Sequence, residues 1–324
     1  MFIILSIHIN LAIGTLSRHL SQRLDLEPFV NRLLRFEAVG LYLLTERGHG
    51  LDAFNLETTA TKTAQGFVIN TPREEACKCV SAPCNSFVTD KTLDRLMPAT
   101  TPSFGIAKVA LVMARLIVDD EDRGPRFFVV PICNEQEMFH GVESIRLGPR
   151  SGTTPLDFSI TRFDSVLVPY TALVASPLDD YSIPKFPLLA WWNEIWRVPI
   201  GAITVVAPLI PGLKFSSFIS GKYSMHRSLT GKGFEPIPII SFRTQQWPIL
   251  HAIAASLVLE NWYPIAAAQA TNDSIDPRVR HGVAVIVKTT VCRQAQRCVS
   301  EISERCGVQG TFENNFMVRF EVGT

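Results

Sequence analysis

The sequence predicts an α+β chain in three parts: a helical segment, a central β-rich domain and a C-terminal helical bundle. Three observations carry this. Apolar residues recur at helical spacing from Leu24 to Leu44, short runs rich in β-branched and aromatic residues fill Thr58 to Val168, and long helical periodicity returns from about Leu188. In the first part Leu26, Phe29, Val30, Leu33, Leu34, Val39 and Leu41 make one apolar face between Glu27, Asn31, Arg32 and Arg35, which predicts an amphipathic helix broken near Gly40. In the middle, strands are expected over Thr58–Thr63, Gly66–Asn70, Val109–Val118, Arg126–Ile132 and Phe158–Val168. Turn clusters at Asp119–Gly124 and Gly148–Gly152 separate the later runs. Helices are expected over Trp191–Leu209, Phe215–Arg227, Thr244–Gln269 and Asp276–Cys306, with Pro208–Gly212 and Gly231–Pro238 as the bends between them.

Composition excludes several classes. The chain has 324 residues, of which 47% are apolar and 19% charged, enough to bury a sizeable core and too apolar for a disordered tail. Its formal charge is +1 and no basic run tracks a phosphate backbone, so no nucleic-acid partner is expected. Mean hydropathy is +0.18. The apolar stretch Val198–Leu213 is interrupted by Pro199, Pro208 and Pro211, and no membrane span is expected from it. The seven cysteines are odd in number and irregularly spaced, which favours reduced thiols and an intracellular setting. The start, MFIILSIHINLAIGTL, has no basic residue before Arg18 and fits a buried helix better than a secretory leader. The chain ends Glu-Val-Gly-Thr, without a C-terminal peroxisomal address.

Common site motifs fail on context. Gly48-His49-Gly50 lacks the third glycine of a dinucleotide fingerprint, and Gly231-Lys232-Gly233 lacks phosphate-loop spacing. Cys77-x-Cys79-x4-Cys84 is half a zinc site with no fourth soft ligand at finger spacing, and the histidines form no zinc-protease pattern, so no metal is expected. There is no G-x-S-x-G elbow.

The informative constellation is Leu43-Leu44-Thr45-Glu46-Arg47-Gly48-His49-Gly50, followed by Leu56-Glu57-Thr58-Thr59-Ala60, a junction where small groups let a planar ligand approach the backbone. This stretch resembles the acyl-CoA oxidase branch of the acyl-CoA dehydrogenase superfamily, with its Thr-Glu-x-Gly-His-Gly loop and Leu-Glu-Thr-Thr-Ala strand. Further segments match in the same order: Phe67–Pro72, Arg150–Gly152 through Phe163–Pro169, Tyr223–Arg227, Phe242–Gln246 and Cys306–Gly310.

The resemblance implies an acyl-CoA dehydrogenase-like fold: residues 1–44 as part of an N-terminal helical domain, 45–180 as a central β-barrel domain, and 181–324 as part of a C-terminal helical bundle. It implies FAD as cofactor and an acyl-CoA thioester as substrate, in a homodimer that shares the FAD site. Carried over position by position, Thr45 and the Gly48 to Gly50 backbone would lie by the isoalloxazine ring, with Met97, Pro98 and Thr100 in the loop on its other side. Arg227 would hold the pyrophosphate with its planar fork. Gln245, Gln246, Gly307, Gln309 and Gly310 would contact FAD across the dimer. The implied activity is that of an oxidoreductase acting on CH–CH groups, α,β-dehydrogenation with hydride passing to flavin N5. The implied compartment is peroxisomal or cytoplasmic.

Against the family pattern the chain is expected to be short at both ends, with an atypical insert over 79–96. The general-base glutamate is expected beyond Thr324 and is assigned to neither Glu313 nor Glu321. Two alternatives stay open at this point: a flavin-dependent desaturase or oxidase of a specialised thioester, and a catalytically dead paralogue acting as a dimerisation or scaffold partner.

Overall fold

A computed structural model of the chain describes all residues except 1, 51, 80–99, 103–104, 148–157, 232, 313 and 324, and all their side chains except those at 2, 3, 319 and 321–323. The chain divides into two compact units, one ending at Gly201 and the other beginning at Ala202.

The first unit opens on consecutive helical stretches, α1 (Phe2–Leu5), a π-helical stretch (Ser6–Ile13) and α2 (Gly14–Ser17), followed by α3 (Glu27–Leu34). Its strands are β1 (Ala38–Leu43), β2 (Thr59–Thr63), β3 (Gly66–Asn70), β4 (Ala107–Val118), β5 (Glu121–Cys133), β6 (Val142–Arg146), β7 (Ser159–Phe163) and β8 (Val166–Val168), and α4 (Pro187–Glu194) follows. One mixed sheet runs β1-β4-β2-β3-β8. The long β4 pairs β1 in parallel along its first half, β2 in parallel along its second, and β5 antiparallel. β6 and β7 form a separate antiparallel pair. The core lies against this sheet: Tyr42, Phe67, Phe127, Phe128 and Phe163 are fully buried, with Phe67 edge-on to Phe128 at 5.2 Å. Such edge-to-face pairs add to simple area burial.

The expected helix over Leu24–Leu44 is corrected here. It ends at Leu34, Phe36 turns the chain at φ 56°, and Ala38–Leu43 is a strand in parallel register with Ala107–Val112. A strand buried on both faces reads as an unbroken apolar run, which helical periodicity alone does not tell from a buried helix. Gly40 is not a helix breaker; it is the point where a helix touches the strand. A Cβ there would lie 2.7 Å from the Cβ of Ala12.

His8 joins the same three elements. Its Nδ1 accepts from the Gly40 N–H at 2.8 Å and its Nε2 donates to the Leu33 carbonyl at 3.0 Å, so the ring is held neutral. Burial pushes its pKa below 6.5, against a smaller opposing effect of the Leu33 bond, and burial lowers that of His19 as well. The folded pKa lies below the unfolded one, so the unfolded chain takes up protons first as pH falls. The stability these histidines contribute is present above about pH 6.5 and is lost below it. Thermal unfolding is therefore expected at lower temperature at about pH 5.5 than at about pH 7.5, with a shallower dependence in His8→Gln. An equal slope in that variant would remove His8 from the account.

Arg23, 4% exposed, closes this end of the unit. Its guanidinium donates to the carbonyls of Thr171, Leu173 and Ala175 and to both oxygens of Asp25.

α5 (Arg197–Val206) leads into the second unit, which contains α6 (Leu209–His226), the short pair β9 (Ser228–Thr230) and β10 (Pro236–Pro238), α7 (Arg243–Thr271), α8 (Pro277–Glu304) and α9 (Phe316–Gly323). Leu213, Ile249, Ala252, Cys298, Val299, Ile302 and Met317 form its core. Asp276 caps α8 by accepting from the Arg278 N–H, with proline in the first turn. The expectation that no stretch is long enough for a membrane span needs correcting: Arg197–His226 passes on length and composition, with a third (33%) of its most apolar window buried. Pro199 and Pro211 sit near helix starts, where no backbone N–H is needed, while Pro208 lies in the turn between α5 and α6 and stands at the N-cap of α6.

Candidate functional site

The loop singled out in the sequence leaves the end of β1 and pairs with the segment 75–79. Arg47 N–H donates to Cys77 at 3.0 Å, Gly48 N–H to Glu75 at 2.8 Å and Cys79 N–H to Thr45 at 3.3 Å, with Glu46 and Lys78 directly opposed. Lys78 is paired on its other side with Thr161 of β7 through two bonds of 2.8 Å. Three segments therefore lie side by side. Thr45 is buried and its Oγ1 donates to the Cys79 carbonyl at 2.7 Å. Gly48 is exposed as bare backbone, and a Cβ on it would come within 3.1 Å of the Glu75 Cβ. Gly50 follows, half-buried.

Inside this ladder sits a buried ion pair. The side chains of Glu46 and Lys78 are both 0% exposed, with Nζ 3.0 Å from Oε1. The Glu46 carboxylate also accepts from the Glu57 N–H at 2.7 Å, the Thr58 N–H at 2.9 Å and the Thr58 hydroxyl at 2.6 Å. Burial alone would raise the Glu46 pKa; the Lys78 charge, the hydroxyl and the two amides outweigh it and hold it below the ordinary carboxylate value. Burial pulls Lys78 downward, and Glu46 opposes that.

At the exposed edge, His49 Nε2 lies 2.7 Å from Glu57 Oε1, and Arg73 grips the same carboxylate through two nitrogens at 2.5 and 2.6 Å. Arg73 first and His49 second pull the Glu57 pKa down to about 2. Arg47 pairs with Glu74 across the loop.

Thr100 reaches the same region from the other direction. Its Oγ1 meets the hydroxyls of Ser144, Ser159 and Thr161 at 2.5, 2.7 and 2.7 Å, and its N–H donates to Ser159 at 2.9 Å. Thr161 thus joins Thr100 by its side chain and Lys78 by its backbone. Met97 and Pro98 lie outside the described residues, as does the insert beyond Cys79, and so do Glu313 and the Glu321 side chain. Sequence reasoning missed Lys78, Ser144, Ser159 and Thr161. Glu46 was visible inside the loop motif, but nothing local in the sequence announces its partner across the ladder.

The remaining predicted residues gather in the second unit. Arg227 ends α6; its carbonyl accepts from Ile239 at 2.8 Å, and its exposed guanidinium has no hydrogen-bond or ion-pair partner among the described residues. Gln245, 9% exposed, donates through Nε2 to Ser224 Oγ at 2.8 Å and the Arg305 carbonyl at 3.0 Å. That amide ties α7 to α6 and to the end of α8 within one unit. Gln246 and Gln309 are exposed. The glycines of this turn are demanded by geometry. Gly307 has φ +57°, and a Cβ on Gly310 would lie 2.3 Å from the Ser303 carbonyl oxygen.

No family model matches the chain. Among curated proteins it is 27% identical over 230 residues to an acyl-coenzyme A oxidase-like protein of Mus musculus, covering 68% of this chain and 33% of that protein. It is 24% identical over 312 residues to peroxisomal acyl-coenzyme A oxidase 3 of Homo sapiens, covering 89% and 42%. Among solved structures, acyl-CoA oxidase-1 of Caenorhabditis elegans complexed with FAD and ATP superposes with a TM-score of 0.71 at 21% identity, over 96% of this chain and 46% of that one. The chain thus spans less than half the length of these relatives.

The chain has the acyl-CoA oxidase fold, in the α+β class expected. The resemblance to the acyl-CoA oxidase branch read from the motifs is borne out by its sequence relatives.

Proposed function

We propose that the chain binds FAD and takes part in α,β-dehydrogenation of an acyl-CoA thioester as an acyl-CoA oxidase. The observation that carries the reading is the ladder of 45–48 on 75–79. It presents bare Gly48 backbone and a fixed Thr45 where the family loop meets the cofactor, in a chain whose relatives are oxidases. In the first unit Thr45, Gly48 and Thr100 spend their donors on internal bonds, so with Gly50 they would line a heteroaromatic ring as a fixed wall; in the second, the exposed Arg227 guanidinium, without a partner among the described residues, suits a pyrophosphate. Gln246 and Gln309 offer exposed amides, Gly307 and Gly310 the turn beside them, and Met97 and Pro98 complete the expected list. Gln245 holds that region together rather than reaching outward. When bound, FAD supplies the acceptor for the β-hydride. The chain's own part is to hold the ring face, orient the thioester and exclude water; the general base is not assigned. The reading includes a homodimer and a peroxisomal or cytoplasmic setting, supported by the peroxisomal name of the human relative.

The test is acyl-CoA-dependent formation of peroxide and enoyl-CoA by the purified chain across a straight-chain acyl-CoA panel. Absence of both products with FAD bound leaves a flavoprotein without this activity. Arg227→Met is expected to weaken FAD binding about tenfold to a hundredfold, the worth of a charge-assisted hydrogen bond, with the melting temperature unchanged. Equal affinity would remove Arg227 from the site.

A further inference from the structure

A buried ion pair is weak support for stability, because desolvation cancels most of the attraction and an apolar pair of similar volume often serves as well. Its best-attested use is to specify one arrangement against near alternatives. The ladder of 45–48 on 75–79 is short, held by three backbone bonds, and neighbouring side chains along it are small or medium in size: Thr45, Cys77 and Cys79. Apolar packing of that kind discriminates poorly between registers. A slip by one residue would turn every side chain to the opposite face. It would also place Glu46 opposite Cys77 or Cys79 and leave Lys78, 0% exposed, without its carboxylate.

The surroundings of the pair make that slip costly from both sides. Glu46 is held by Glu57, Thr58 and Lys78 together, so it bridges the segment before β2 to the 75–79 segment. Lys78 also reaches the Leu44 carbonyl at 3.4 Å, and its backbone is pinned to Thr161. On the opposite face of the same ladder stands Thr45, whose hydroxyl position depends on finding the Cys79 carbonyl. The next residues are the Gly48–Gly50 backbone.

We propose that Glu46 and Lys78 act as a register lock, a positioning pair that fixes Thr45 and the Gly48–Gly50 backbone in the one alignment able to receive a flavin ring. This rests on the FAD reading above for the identity of the ligand, and on the geometry alone for the lock. Neither residue is assigned contact with the ring.

The test is Glu46→Gln/Lys78→Met in the full chain. The introduced amide carbonyl can still accept from the Thr58 N–H and hydroxyl, its NH2 meets the Glu57 N–H that the carboxylate had accepted, the thioether chain replaces the lysine stem, and no buried charge is left behind. FAD affinity is read by fluorescence titration, and exchange of the Arg47, Gly48 and Cys79 amides by mass spectrometry or NMR. The lock predicts a folded chain with a melting temperature lowered only by the lost Glu57 bond, a dissociation constant for FAD raised about tenfold, and faster exchange at those three amides. An affinity within about twofold of wild type, or unchanged exchange, overturns it. If the double variant does not fold, Glu46→Asp, which keeps both charges but withdraws the carboxylate by one methylene, is measured against the same two criteria. A wild-type chain that binds no FAD overturns the flavin reading, and amide exchange then decides the lock: faster exchange in the variant upholds it, equal exchange overturns it.

Discussion

Lys78→Met alone is expected to destabilise the first unit by about 3–5 kcal/mol, the cost of leaving one member of a buried ion pair without its partner. The Glu46 carboxylate would stay at 0% exposure, with two amides and a hydroxyl but no cation. At neutral pH it would have to remain charged in a poor solvent or take up a proton. Stability should therefore recover as pH is lowered toward the carboxylate range, the reverse of the acid loss expected from His8. Denaturant unfolding followed by hydrogen exchange in β1 and β7 reads the effect where it arises. A loss under about 1 kcal/mol would mean that the site accommodates Glu46 without a cation.

The second large effect is at Gly66, where β3 begins. The backbone there has φ +147°, a conformation side chains rarely adopt, and a Cβ would come within 2.1 Å of the Val168 carbonyl oxygen on the paired strand β8. The obstacle is backbone, so relief requires separating β3 from β8. Gly66→Ala is expected to cost roughly 3 kcal/mol or more, combining strain with a damaged strand pairing. The unfolding midpoint of the first unit should fall while protection of the α7 and α8 amides stays as in wild type. An unshifted midpoint would show that the β3–β8 pairing can re-form around the methyl group.

These sites show which parts of the molecule can be read from one dimension. The alternation in Asp157–Thr161 and the long apolar periodicity over Thr244–Gln269 and Asp276–Cys306 are local patterns, and the structure has β7 (Ser159–Phe163), α7 and α8 there. β1 was not legible as a strand, because a strand buried in a parallel pairing loses its alternation, and what identifies it is β4, far along the chain. The candidate site divides the same way. The Thr45–Gly50 loop was visible as a motif, and the glycine turn at Gly307 and Gly310 has the backbone geometry that requires glycine. The partners that hold the loop were invisible: Lys78, Ser159 and Thr161 become neighbours only through antiparallel register, which side-chain identities at those positions do not announce. Gln245 was legible as a motif residue, but the bonds of its Nε2 to Ser224 and Arg305 were not.

The central claim is that this chain holds FAD, and direct titration tests it. The purified chain, stripped of any bound flavin and mixed with FAD, is expected to quench flavin fluorescence to a saturable endpoint of one FAD per chain, with a perturbed visible flavin band and a raised melting temperature. A folded chain that neither quenches nor gains thermal stability at saturating FAD would contradict the account.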